Sequence, residues 1–262
     1  MTGASSSIRA AACGVFQPPA VCRRRSHGLR PRLGRAFSLV ELLVVVGIVA
    51  LLAGLLLPAL ARARLKATQS ACLSNLRHAG VGMSLYLGDH HDRFPDARPL
   101  KAMLGFRPWA GWPPSDPRAG WVPAVMASHS GSRAWLCPSV ASSRLRHVEQ
   151  AVQPVPASES SLVTGYWLWR FDRTNDPVPL DNFWGKTPDH AIADLRAANN
   201  PVAGQPSSPS DVELVVDVYL PSGVPGIAPE LAGRSAHPGG RNRLMLDQSA
   251  SWIRDPRIML GP

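Results

Sequence analysis

The order of apolar and polar positions divides the chain into three regimes. From Leu42 to Ala61, 20 consecutive residues carry no charge and are mostly Leu, Val and Ala. A helix rising about 1.5 Å per residue crosses a hydrocarbon core of roughly 30 Å over that length. Apolar residues then thin to a helical spacing. Leu65, Cys72, Leu76, Ala79, Met83 and Leu87 recur near 3.6 residues, with Arg64, Lys66, Gln69, Arg77 and His78 largely between them. The pattern predicts one long helix from about Phe37 to about Asp89, amphipathic in its second half and ended by His90, His91, Asp92 and Pro95. Pro58 removes a backbone donor and should bend it. Gly47 and Gly54 loosen it or let neighbouring helices approach.

Past Pro95 the chain is rich in Pro, Gly and Ser, with short apolar runs. Leu162–Phe171, Val212–Leu220 and Asn242–Asp247 continuing to Ile253 predict strands, being rich in Val, Leu, Trp and Tyr. Asp189–Ala198 predicts a short helix with Asp189 as its cap. The prolines between Phe94 and Val122 predict irregular loop. The expected fold class is α+β, a long membrane-spanning helix packed against a small, loop-rich antiparallel β head. The expected segments are a leader over 1–36, a membrane helix over 37–61, its amphipathic continuation over 62–94 and a head over 95–262.

Charge changes the picture mainly at the N-terminus. Residues 1–36 hold seven arginines and no acid, and removing them from the net charge of +10 leaves +3. The basic excess thus belongs to a leader just before the apolar run, where it holds that end in the cytoplasm. Nucleic-acid binding would instead want arginines clustered on a folded face with interleaved aromatics, so no nucleic-acid partner is expected. Small residues precede the apolar run, the reverse of an ordinary secretory signal. Cys13 and Cys22 fall in the leader, which leaves Cys72 and Cys137. An oxidising periplasm could join that pair, or the two could be separate half-buried thiols; both readings stay open. The spacing of Cys and His suggests no zinc site.

The segment Arg35-Ala36-Phe37-Ser38-Leu39-Val40-Glu41, followed by Leu42-Leu43-Val44-Val45-Val46, resembles the cleavage and methylation motif of type IV prepilins and type II secretion pseudopilins. The resemblance implies a pilin-like fold, a cut by a membrane prepilin peptidase between Ala36 and Phe37, and N-methylation of Phe37. Gly is usual before such a cut, so Ala36 departs from the pattern. Glu41 matches the glutamate that pilin-like proteins keep inside the apolar segment. A carboxylate there is costly unless paired. Its natural partner is the new α-ammonium on Phe37, or that of a neighbouring subunit, which gives Glu41 an assembly role; the bland alternative is that it snorkels to the interface. Ala61-Arg62-Ala63-Arg64, Cys72-Leu73-Ser74-Asn75-Leu76-Arg77, Tyr86, Asp92-Arg93-Phe94-Pro95 and Leu136-Cys137-Pro138-Ser139 are similar to a group of prepilin-type proteins with a C-terminal H-X9-DG element. Here that element reads His237, Gly239, Gly240, Asn242 and Asp247, with Gln248 in place of the final Gly. Gln resists positive φ, so the hairpin is expected to use a longer Asp247–Ala250 loop than a two-residue Asp-Gly turn.

Other chemistry was weighed against plainer readings. His237 and Asp247 could form a catalytic or metal pair, but a tight Gly239-Gly240-Asn242 turn with local hydrogen bonds accounts for them. The run His90–His91–Asp92 ends a helix without needing a ligand. Some pseudopilins bind calcium, and Asp211, Asp217, Asp247 and Asp255 offer oxygens, yet no loop has EF-hand spacing and no cofactor is otherwise implied. GxSxG, HExxH, P-loop and Rossmann fingerprints are absent, so no enzyme is expected. Trp109, Trp112 and Trp121 could line a binding surface or fill the core. The expectation is a single-pass inner-membrane subunit, head in the periplasm, whose partners are the peptidase and other pilin-like subunits. Two alternatives stand beside it: a tethered Trp-rich binding module that does not polymerise, and a membrane-anchored hydrolase using His237 and Asp247.

Overall fold

A computed structural model describes residues 38–155, 162–201 and 204–260. The Ala36–Phe37 junction and the leader cysteines lie outside them. Helix α1 spans Leu39–Asp89, 51 residues with Pro58 inside it, close to the predicted bounds. The chain divides into two compact units, Met1–Leu52 and Ala53–Pro262. In the first, the described large apolar side chains from Leu39 to Val49 are exposed. Among the described residues α1 is one candidate membrane span by length and composition.

The second unit holds the head and the rest of α1. Cys72, Leu76, Ala79, Gly80, Gly82 and Met83 of α1 are buried, the helical stripe expected from the sequence, except that Leu65 stays exposed. Small residues set the depth of packing. A Cβ on Gly82 would come within 2.3 Å of Ser130 Cβ, and one on Gly80 within 3.0 Å of Leu244 Cδ1. His91 and Asp92 take left-handed φ of 55° and 54°, and the Asp92 amide caps the Leu87 carbonyl, ending the helix where the polar run predicted.

Eight short strands follow: β1 (Gln153–Pro154), β2 (Val163–Thr164), β3 (Tyr166–Leu168), β4 (Glu213–Asp217), β5 (Tyr219–Leu220), β6 (Arg234–Ser235), β7 (Gly240–Met245) and β8 (Ala250–Arg254). The main antiparallel sheet has the order β3-β4-β7-β8, and β1-β2 and β5-β6 form separate ribbons. The architecture is α+β with small antiparallel sheets. Each predicted strand is broken: Leu162–Phe171 at Gly165, Val212–Leu220 at Val218, and Asn242–Ile253 at the β7–β8 loop over 246–249. Val215 and Val216 in the central strand β4 are fully buried, which explains its unbroken apolar run.

Helices α2 (Arg98–Met103), α3 (Val122–Val125), α4 (Pro138–Ala141) and α5 (Pro188–Ala198) complete the head. Two expectations are corrected here. The Pro-rich stretch 94–122 is not all irregular, because Pro99 sits in the first turn of α2, where its missing N–H costs nothing. The cap of α5 is Thr187, whose Oγ1 accepts the His190 amide at 3.4 Å, while Asp189 lies inside the first turn.

Tryptophans fill the core. Trp121, Trp135, Trp167 and Trp184 are essentially buried, with Trp184 packed on Trp121 at 4.9 Å and on Phe171 at 4.8 Å. At about 200 Å² each and about 25 cal/mol per Å², every such side chain gives roughly 5 kcal/mol of gross burial. That offsets ordering a head with so little regular structure. Of the three tryptophans considered for a surface, Trp121 is core and Trp112 donates its indole N–H to the Tyr219 carbonyl at 3.0 Å. Trp109 lies 4.7 Å under the Arg118 guanidinium.

Buried charge organises the Pro-rich stretch. Asp116 is fully buried and takes the Arg118 fork at 2.8 Å on each oxygen. Lys101, also fully buried, donates to the Arg118 carbonyl at 2.9 Å and sits 4.0 Å from Asp116. Burial lowers the Lys101 ammonium to about 8, against the pull of Asp116 and Asp172. The unfolded chain therefore binds the extra proton, and stability should rise as pH climbs from about 8 to about 10.5. We expect this increment, of order 3 kcal/mol, to be missing from Lys101→Met when the two proteins are unfolded by urea in micelles across that range; parallel pH profiles would refute the assignment.

Gln248 adopts φ of 69°, so the residue expected to avoid the left-handed region occupies it, even within the longer loop. The Met245 amide bonds to Ser249 O, the Gln248 amide to Met245 O, and Asp247 Oδ1 accepts the Ser249 amide and hydroxyl; together these hold it there. Gln248→Gly should raise stability by roughly 0.5–1 kcal/mol, read from the same unfolding midpoints. A fall would mean that the Gln248 side chain packs productively beside Gly80.

Candidate functional site

Glu41 stands at the start of α1. The Ser38 amide donates to Glu41 Oε2 at 2.9 Å and the Glu41 amide donates to Ser38 Oγ at 3.1 Å. This is a reciprocal capping box, a role readable in the Ser-x-x-Glu spacing. The expected amine partner on Phe37 lies outside the described residues.

Three of the other predicted residues, Cys72, Cys137 and His237, converge in the interior of the head with Asp217, while Asp247 stays exposed in its turn. Cys72 projects from α1, Cys137 caps the N-terminus of α4, Asp217 ends β4, and His237 lies in the turn before β7. One ligand atom from each falls within 4.8 Å of the others, and all four residues are buried. The two cysteines are free, with their sulfurs 2.8 Å apart. Sequence reasoning paired Cys72 with Cys137 as one of two readings, and the structure brings them together. It gives His237 and Asp247 local hydrogen bonds ahead of a catalytic or metal pairing; Asp247 does bond locally, to Ser249, and His237 Nε2 lies 3.4 Å from Asp217.

Local structure explains each placement. Gly165 breaks the strand run, and a Cβ there would come within 2.7 Å of Cys137 Cβ. A Cβ on Gly240 would lie 2.1 Å from the Ile253 carbonyl oxygen, and Gly239 has φ of 78°, so the two glycines permit the close turn that delivers His237. Ser139 Oγ lies 3.3 Å from His237 Nδ1 and orients the ring. The Asn242 amide donates to Asp217 Oδ2 at 2.7 Å, and its side-chain Nδ2 donates to the Gln69 carbonyl at 3.2 Å. Asn242 thus ties β7 both to the cluster and to α1. Tyr166 Oη adds a bond to the Cys72 carbonyl at 3.3 Å.

Electrostatics concentrate strain here. Burial pushes the Asp217 carboxyl up to about 7 and the Cys137 thiol well above its usual value. The hydrogen bond with Cys137 lowers Cys72 to about 4 against the opposing effect of burial. Burial lowers the His237 imidazole, but Cys72 and Asp217 beside it outweigh that and raise it. Asp217 Oδ1 and His237 Nε2 are buried without a hydrogen-bond partner. Two sulfurs, an imidazole nitrogen and a carboxylate can close as a disulfide or ligate an ion.

Hydrolysis finds less support. Ser139, His237 and Asp217 fall in a row, but His237 is 2% exposed. A cavity of about 660 Å³ lies elsewhere, between Trp112, Trp169, Tyr219 and a set of Arg and Asp side chains, and none of the three lines it. The four aspartates considered for calcium end in four settings. Asp211 is held by Ser207 and Ser208, Asp217 belongs to the cluster, Asp247 braces its turn, and Asp255 pairs with Arg257 and Arg241. His90 stacks on Tyr86 at 3.8 Å, in keeping with a helix end.

No protein-family model matches the chain, and neither curated proteins nor solved structures give a match.

Asn242→Ala removes the tie to the Gln69 carbonyl and should cost about 1 kcal/mol, measured as a shift in the urea midpoint. An unchanged midpoint would show that the Gln69 carbonyl finds water as readily as the side chain.

Proposed function

We propose that this chain is a prepilin-like structural subunit, cut before Phe37, N-methylated there, and assembled through its apolar helix into a type II secretion pseudopilus or a type IV pilus-like filament. The observation that carries the reading is α1 itself. It begins two residues after the Ala36–Phe37 junction, its large apolar side chains from Leu39 to Leu60 are exposed, and its residues from Cys72 to Met83 present a buried stripe. At about 1.5–3 kcal/mol for each large apolar side chain, such a surface must be covered by lipid or by neighbouring helices. Prepilins use both coverings in turn.

The basic leader places the N-terminus in the cytoplasm and the head in the periplasm. The peptidase, the inner membrane and other pilin-like subunits are the partners of this reading, and the chain itself catalyses nothing in it. Glu41 serves twice. Its carboxylate caps the helix through the Ser38 amide, and a second lone pair is available to an α-ammonium at Phe37 or on an adjacent subunit. Pairing would neutralise both charges inside the apolar layer and register one helix against the next.

The mass of the N-terminal peptide from protein isolated out of native membranes tests the reading. A peptide beginning at Phe37 with one added methyl group is expected; an intact leader would overturn it. Glu41→Ala should still be cleaved but should enter filaments poorly, and normal incorporation would remove the assembly role.

A further inference from the structure

We propose that Cys72, Cys137, Asp217 and His237 form a tetrahedral site for a borderline-soft divalent ion, zinc being the best fit, that clamps α1 to the head. The donor set is two sulfurs, one imidazole nitrogen and one carboxylate oxygen, a combination that suits zinc in closed structural sites. All four donors come from different elements, and all four residues are buried.

The decisive observation is which atoms lack partners. A disulfide would use the two sulfurs alone. It would leave Asp217 Oδ1 buried with no hydrogen bond and His237 Nε2 with only its 3.4 Å contact to Asp217 Oδ2, a costly state for groups held away from water. An ion satisfies the four residues at once. The imidazole and carboxylate already stand in the arrangement such an ion needs. His237 Nδ1 is engaged by Ser139 Oγ, which directs the Nε2 lone pair toward the sulfurs. Asp217 Oδ2 lies 3.4 Å from His237 Nε2 and accepts the Asn242 amide, while Oδ1 is buried with no hydrogen bond, so the carboxylate keeps unused acceptor capacity at the cluster. Two zinc–sulfur bonds of about 2.3 Å at a tetrahedral angle need sulfurs roughly 3.8 Å apart. The observed 2.8 Å must therefore open by about 1 Å, which a χ1 adjustment of either cysteine supplies.

Charge points the same way. The ion would displace the thiol proton that burial keeps on Cys137, and two thiolates with one carboxylate would offset its +2 to leave a single net negative charge. Because the four ligands lie at residues 72, 137, 217 and 237, the ion would cross-link the helix, α4, β4 and the turn before β7.

The test uses the full chain, isolated in detergent micelles from membranes with no reductant added. Zinc is counted by elemental mass spectrometry, and intact mass after alkylation reports the thiols. We expect one zinc per chain and both thiols unoxidised. Replacing zinc by cobalt should give the intense visible bands of a tetrahedral ion together with thiolate-to-cobalt charge transfer. Ser139→Ala, which leaves all four ligands in place, should weaken zinc binding 10- to 100-fold. His237→Ala should weaken it further. A protein two hydrogens lighter, with Cys72 joined to Cys137 and no zinc, would overturn the proposal. So would zinc binding unchanged in His237→Ala, since the ion would then lie elsewhere. Neither result bears on the N-terminal peptide, so this inference and the prepilin reading fail separately.

Discussion

The structure depends on how closely α1 lies against the sheet. Cys72, Leu76, Ala79 and Met83 supply apolar contact, and Gly80 and Gly82 remove the side chains that would hold the backbones apart. A methyl group on Gly82 would collide with Ser130, so the segment from Met126 to Trp135 is seated by a hydrogen atom in place of a side chain. Trp135 then donates its indole N–H to Ser130 Oγ at 2.9 Å, which couples the helix surface to the tryptophan core. The cysteine cluster lies further toward the N-terminal end of the same buried stripe. Its reach from Cys72 to Cys137 exists only because the helix packs this tightly.

Much of this was legible in the sequence, in proportion to how local the signal is. The extent of α1 follows from a 3.6-residue period and a polar stop, and the structure ends the helix at Asp89 as the His90–His91–Asp92 run implies. The approximate positions of the strands follow from Val, Trp and Tyr runs. Their breaks do not. Gly165 interrupts an apolar run because Cys137 occupies the place of a Cβ, and no pattern within residues 162–171 announces a neighbour from residue 137. Likewise Lys101, Asp116 and Arg118 look like solvated charges in a Pro-rich loop, yet they form a buried network. Asp116 and Arg118 are two apart, the spacing of one face of a strand, but the prolines around them predict loop and give no reason to expect their burial.

The candidate site shows the same division. The sequence points to Cys72 and Cys137 as one of two readings, and it gives His237 and Asp247 local hydrogen bonds ahead of a shared site. Asp247 does bond locally, to Ser249, while His237 meets a carboxylate that sequence spacing does not pair with it. In the structure β7 runs Gly240–Met245 and carries Asp247 to the far end of the hairpin, where it braces the turn around Gln248. The carboxylate that meets His237 comes from β4, adjacent to β7 in the sheet and 20 residues earlier in the chain. One signal was available: Asp217 ends a run of Val and Leu, and an acid closing a buried strand needs a partner. Asn242 supplies that partner through its backbone amide, and it does so from within β7 and not from the Gly239-Gly240-Asn242 turn that the sequence suggests.

The two parts of α1 have opposite requirements, and this links the site to the proposed role. Large apolar residues before Ala61 are exposed, and in the proposed role their partners would be interchangeable: lipid, or the same stretch of another subunit. Residues from Cys72 to Met83 have one face, and it is committed to this head. Such a helix can change neighbours at one end only if the other end does not slide or rotate. Gly80 and Gly82 resist sliding sterically, because a one-turn shift would bring larger side chains against Leu244 and Ser130. Directional contacts add to that. Cys72 is held within the buried cluster, and the Gln69 and Cys72 carbonyls take bonds from Asn242 and Tyr166. These polar contacts fix the register of α1 at the depth where its apolar stretch gives way to the head.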